Sequence, residues 1–271
     1  MFVFLLGLVG CYAPQPVPGA PCSADGTCPS GLVCTDDRCV LPGTTGDASI
    51  DEAPIDTSLI DASIDASIDA FAGPIPQLVQ EAFMFEAPAT TLTTTFPGTP
   101  IAGNVLVAVA GCPTGAIAAI SGAAATWQRV ALSTVNPNVE VYIGVATGGT
   151  SVTISLPTCT SQMSLAISEW NHVDAMPLDT MSIDDGVASP STAGSITTSG
   201  SPRLLLFAVA NFTPNTVGTP TDGPWKNLMP IVGLVEIRIW YRVVTTTGSF
   251  APTVTETRHE WDAALVSLKG D

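Results

Sequence analysis

Between residues 76 and 271 apolar and polar positions alternate in short runs, broken by Gly, Pro, Asn and Thr. Period-two alternation marks a strand with one buried face. It predicts strands over 78–85, 91–96, 105–110, 127–131, 139–146, 151–156, 163–170, 178–183, 195–198, 204–210, 232–244, 253–257 and 261–268. Turn signals fall between them: Pro97-Gly98, Gly148-Gly149, Asp185-Gly186 and Asp222-Gly223-Pro224. No stretch carries a capped stripe of helical period. The expected fold is therefore all-β, a jelly-roll-like β-sandwich filling residues 76–271. Leu204 to Ala210 is apolar on both faces and is expected as a central strand covered on both sides.

The same alternation picks out a candidate surface. Along residues 235–243 it puts Glu236, Arg238, Trp240 and Arg242 on one face and Val235, Ile237, Ile239, Tyr241 and Val243 on the other. Residues 139–145 repeat this, with Glu140 and Tyr142 opposite Val139, Val141, Ile143 and Val145. If the two strands are neighbours, one sheet face gathers aromatic and charged groups. Such a face suits a sugar, with a ring against the apolar side of a pyranose and charged groups on its hydroxyls. The plain alternative is a solvated face with cross-strand Glu–Arg pairs.

Upstream the pattern changes twice. Residues 1–10 are almost wholly apolar, too short to span a bilayer and suited to the apolar stretch of a signal peptide. Residues 11–42 carry Cys22, Cys28, Cys34 and Cys39 among Gly and Pro, a piece that needs covalent staples because it has no apolar core. Spacings of five, five and four residues suit disulfides better than paired zinc knuckles. Of the three possible connectivities, Cys22–Cys34 with Cys28–Cys39 is the one expected. Residues 43–75 repeat Asp every fourth position through Asp61, Asp65 and Asp69, which would repel on a helix. They read as a disordered acidic tether of about 30 Å mean span. Calcium is a weaker reading, since the Gly turns and mixed oxygen ligands of calcium loops are missing.

Composition narrows the function classes. A net charge of −16 excludes nucleic acid and attraction to anionic lipid as expected partners. The cysteine count of seven is odd. Setting Cys11 aside leaves an even set, with Cys112 and Cys159 as a third pair, in an oxidising compartment. Leu8-Val9-Gly10-Cys11 resembles a bacterial lipobox, although no Lys or Arg precedes it. The resemblance implies acylation of Cys11 and a lipid-anchored protein of the bacterial envelope, exposed on the outer membrane. The cysteine pattern of 22–39 resembles small modules of secreted proteins, including myxobacterial envelope proteins.

Chemistry is sparse. The two histidines, His172 and His259, belong to no HExxH, phosphate loop or nucleophile elbow. Both are expected at the surface, and no metal or cofactor is implied. Glu169 and Asp174 form the one carboxylate pair worth weighing for glycoside hydrolysis, with turn stabilisation the simpler role. Ala102-Gly103-Asn104-Val105-Leu106-Val107, then Glu169-Trp170 leading to Val173-Asp174 and Pro177-Leu178-Asp179, and the closing Ala264–Leu268 run resemble a domain of secreted bacterial proteins. That domain more often has Tyr-Ser-Gly where Trp170-Asn171-His172 stands. The resemblance implies a jelly-roll module of carbohydrate-binding type. The leading expectation is a non-catalytic binding or adhesion module for glycan or a surface protein. An envelope glycan hydrolase and a purely structural envelope component are the alternatives.

Overall fold

A computed structural model of the protein describes residues 22–23, 27–28, 32–35, 38–40, 73–113, 115–133, 138–157, 159, 162–212, 217–228, 235–257 and 260–271. The leader with Cys11, nearly all of the acidic spacer and His259 lie outside the described residues. The chain divides into two compact units, Met1–Ser63 and Ile64–Asp271.

The first unit contains a hairpin of β1 (Val33–Thr35) and β2 (Arg38–Val40). Disulfides join Cys22 to Cys34 and Cys28 to Cys39, the connectivity expected from the sequence. The sulfurs of Cys22, Cys28 and Cys39 lie within 4.8 Å of one another. Each is held in an S–S bond, not free as the thiolate a metal needs.

The second unit is all-β. Its first half runs through β3 (Gln77–Glu86), β4 (Thr91–Thr95), β5 (Val105–Gly111), β6 (Ala119–Ser121), β7 (Ala124–Leu132), β8 (Glu140–Ala146), β9 (Ser151–Ser155) and β10 (Met163–Asn171). Its second half continues with β11 (Val173–Gly186), β12 (Ser191–Thr192), β13 (Ile196–Thr197), β14 (Arg203–Phe212), β15 (Lys226–Asn227), β16 (Val235–Val244), β17 (Ser249–Phe250), β18 (Thr253–Val254) and β19 (Trp261–Gly270). Every stretch predicted as a strand falls on one of these.

The strands form two five-stranded antiparallel sheets, ordered β3-β10-β5-β8-β7 and β11-β19-β14-β16-β15. They face each other across a core in which Val105, Val107, Val141 and Trp170 meet Leu206, Ile237, Ile239 and Val266. The outer face of the first sheet is roofed by β4-β9-β6, with Leu92, Phe96, Val152 and Ile154 packed on Leu106, Ala108 and Leu165. The outer face of the second is roofed by β12-β18 and β13-β17, with Ile196, Phe250 and Val254 packed on Leu205, Phe207 and Leu265. The central strand expected at 204–210 is β14, buried on both faces.

The two halves are copies of one design. In each, the first strand pairs with the last (β3 with β10, β11 with β19), the last with a central strand (β5, β14), and that strand with the one carrying the candidate residues (β8, β16), an arrangement of the jelly-roll kind. Val105 pairs with Trp170 and Val145 as Leu204 pairs with Leu268 and Val243. Each half has a bulge at the same place, skipping Val79 opposite Glu169–Trp170 and Asp179 opposite Ser267–Leu268. The single sandwich expected from the alternation is therefore a doubled jelly roll. The repeat escapes the alternation because equivalent positions share burial, not residue type: Trp170 matches Leu268, Tyr142 matches Trp240, and Cys112 matches Asn211.

One polar clamp recurs with its charges rearranged. Glu169 accepts from Gln80 Nε2, from Asn104 Nδ2 at 2.6 Å and from the Ile101 amide at 2.8 Å, holding the loop that enters β5. At the matching place Asp179 accepts from Arg203 Nε at 2.9 Å, Ser267 Oγ at 3.2 Å and the Ser199 amide at 3.3 Å. Burial acts to raise the Asp179 carboxyl, but hydrogen bonds from Ser199 and Arg203 hold it below its ordinary value.

Asp262 is the opposite case. It is fully buried where the first half has Ser164, and its register partner is Asp185. Burial pushes its carboxyl up to about 7; the Ser133 hydroxyl works against this and the Asp185 charge adds to it. With a folded value above the unfolded one, near 3.9, the folded state keeps a proton that the unfolded state releases. Asp262 therefore lowers stability progressively as pH rises from about 4 to 7. Asp262→Asn should melt above the wild type at pH 8 and converge with it near pH 4. Parallel curves at both pH values in differential scanning calorimetry would refute this.

Candidate functional site

The site grows from the edge strand β7. A turn at Gly122 (φ +87) and Ala123 (φ +56) joins it to β6. Only glycine fits the first position, where a Cβ would stand 2.2 Å from the Ser151 carbonyl oxygen. The Gly122 carbonyl in turn accepts from Trp127 Nε1 at 2.8 Å, which fixes the indole. Gly144 pairs with Trp127 across the ladder. A Cβ there would come within 3.3 Å of Trp127 Cδ2, so its absence lets the ring lie over the backbone.

Two residues on, Arg129 projects from the same face of β7. Its side chain is 42% exposed, and Nη1 lies 3.3 Å from Oε2 of Glu140. Glu140 is fully buried and saturated. Its Oε1 accepts from the Ile117 amide and Asn138 Nδ2, and its Oε2 from the Tyr142 hydroxyl at 2.6 Å as well as from Arg129. Burial first, then Glu140, raises the Tyr142 phenol, against the opposing pull of Arg129. It therefore stays a neutral donor to Glu140. Asn138 also ties the site inward, accepting from the Cys112 amide at 2.7 Å.

Together Trp127, Arg129, Tyr142 and the Ile117–Ile120 segment line a depression of about 360 Å³, where β6 leaves the first sheet's edge unroofed. It offers a fixed indole, an anchored guanidinium with free donors and an aliphatic wall. Such a surface can stack a sugar ring and donate to its hydroxyls.

The six candidate residues do not share one patch, and this corrects the expectation drawn from the alternation. Glu140 and Tyr142 lie on β8 in the first sheet, while Glu236, Arg238, Trp240 and Arg242 lie on β16 in the second. Parity placed each on the right face, but both faces are outer faces roofed by further strands. Glu140, Tyr142, Glu236 and Trp240 are accordingly buried. Trp240 stacks on Phe207 with centroids 5.8 Å apart. Arg238 donates to Glu236. Arg242 lies 5.3 Å over the Phe250 ring and 3.6 Å from Asp222 Oδ1. These four build the second jelly roll, while Glu140 and Tyr142 position Arg129.

Trp127 and Arg129 are the residues that the alternation along 139–145 and 235–243 does not name. Their signal is the same one: a Trp and an Arg at i and i+2 on a short strand. Glu169, His172 and Asp174 do not converge. Glu169 serves its clamp, Asp174 Oδ1 accepts from the Met176 amide at 2.8 Å, and His172 turns the chain between the halves at φ +54. The third disulfide, Cys112–Cys159, forms as expected.

Set against protein-family models, curated proteins and solved structures, the chain has no match.

Proposed function

We propose that the chain is a bacterial envelope lipoprotein whose doubled jelly roll binds glycan, without catalysis, at the Trp127–Arg129–Tyr142 depression. The observation that carries this is the pairing of an immobilised indole with a guanidinium held by a buried carboxylate. Preorganised groups of this kind lose little freedom on binding. Among the described residues that line the depression there is no carboxylate pair of the sort that glycoside hydrolysis uses.

Three disulfides and the lipobox-like Cys11 support an oxidising compartment and an anchor, with two or more acyl chains giving stable attachment. Labelled palmitate should enter the wild type and be absent from Cys11→Ala; equal labelling would remove the anchor from the proposal. For the site, Trp127→Ala should weaken binding on a glycan array by at least tenfold while leaving the melting curve nearly intact, since the indole is only partly buried. Unaltered array signals would reject the site.

A further inference from the structure

The doubled architecture builds one inter-sheet edge twice, with different side chains. In the face-to-face packing β7 lies against β11 and β19, while β10 meets β16 through Trp170 and Tyr241. At the β10–β16 edge the two rings pack edge-on, centroids 5.0 Å apart, with the Lys226 ammonium 5.7 Å over Tyr241. Leu78 pairs with Trp170 there. The ladders assign each of these a counterpart at the other edge: Leu268 for Trp170, Ile143 for Tyr241, Leu178 for Leu78 and Gln128 for Lys226.

Two aromatic rings are thus replaced by two aliphatic side chains, and the second edge is open. A groove of about 390 Å³ lies there, lined among others by Gln128, Ile143, Met176, Leu178 and Lys269. That volume is in the range of small-molecule sites. Lys269 stands where the filled edge has Asn171. Its Nζ is 3.4 Å from the Met176 carbonyl oxygen. Among the described residues it has no carboxylate within ion-pair distance.

We infer that this groove is a binding site for a small aromatic carboxylate. The ring takes the space that Trp170 and Tyr241 fill at the twin edge, over Ile143 and Leu178. The carboxylate pairs with the Lys269 ammonium, and the Gln128 amide supplies a further donor. The site is separate from the Trp127 depression, because Gln128 and Trp127 point to opposite faces of β7. It stands or falls independently of glycan binding.

Isothermal titration of the full chain with indole-3-acetate tests it. Binding is expected with a Kd of about 1 mM or tighter. Lys269→Met should weaken indole-3-acetate about tenfold and leave neutral indole unchanged. Ile143→Tyr with Leu268→Trp rebuilds the filled edge in the open one and should abolish both, with circular dichroism confirming the fold. If that double variant does not fold, Thr126→Trp at the exposed rim should block the groove in its place. Absence of binding by the wild type at several times that concentration would overturn the proposal, as would undiminished binding by the blocked variant. Equal binding of cyclohexanecarboxylate would overturn the aromatic assignment.

Discussion

Trp170→Ala is expected to lower the melting temperature of the large unit by about 10 °C, in a single transition. Trp170 is completely buried and is the largest side chain in the core between the two sheets. Its Nε1 donates to Ser168 Oγ at 2.8 Å, and its ring edge meets Tyr241 of the other jelly roll. Truncating a buried tryptophan costs about 3–5 kcal/mol, through lost transfer energy and the cavity left behind. Domains of this size retain only some 5–15 kcal/mol in total. The cost is felt by both halves because the contact spans them and neither five-stranded sheet has another partner for that face. Scanning calorimetry should show one peak moving down. Two peaks, with only one displaced, would mean that the halves fold independently and that the shared core matters less than its burial suggests.

Removing the Cys112–Cys159 bond should be nearly as severe. The bridge closes a 47-residue separation, ties the end of β5 to the turn after β9, and is buried. In the chain-entropy description a loop of that size contributes about 4 kcal/mol. Cys112→Ala with Cys159→Ala should therefore bring the urea midpoint down by a large fraction and raise the slope, because the unfolded chain without the cross-link exposes more surface. The second jelly roll shows what replaces the bond when it is absent: at the position of Cys112 stands Asn211, whose Nδ2 donates to Glu256 Oε2 at 2.6 Å. An unchanged midpoint would show that the apolar roof alone holds this corner.

The fold was legible to different depths at different places. Alternation located the long strands and the side each residue faces, as the division of Ile237 and Ile239 from Trp240 and Arg242 shows. It could not say which strands are neighbours, because β8 and β16 carry the same pattern while lying in different sheets. It also treated a polar or aromatic outer face as solvent-facing. Here further strands cover it: β4 and β9 show the alternation but not which face they cover, and β12 and β17, of two residues each, are too short to show any period. Glu140 illustrates the consequence. Its position opposite Val139 and Val141 was readable, but its burial beneath Arg129 depends on the Ile117 backbone, which has no pattern of its own.

The depression was half legible. Trp127 and Arg129 alternate on a predicted strand, and Gly144 is the small residue that makes room for the indole. What no linear reading supplies is the unroofed edge that leaves this Trp open while Trp240 and Trp170 are enclosed.

Glycan recognition is tested most directly by following indole N–H resonances in a ¹⁵N–¹H spectrum during titration with the oligosaccharide that binds best on the array. Binding at the depression predicts a saturable shift of the Trp127 indole signal, with the signals of Trp170 and Trp240 unmoved. A titration that leaves Trp127 in place, or that moves the buried indoles instead, would contradict it.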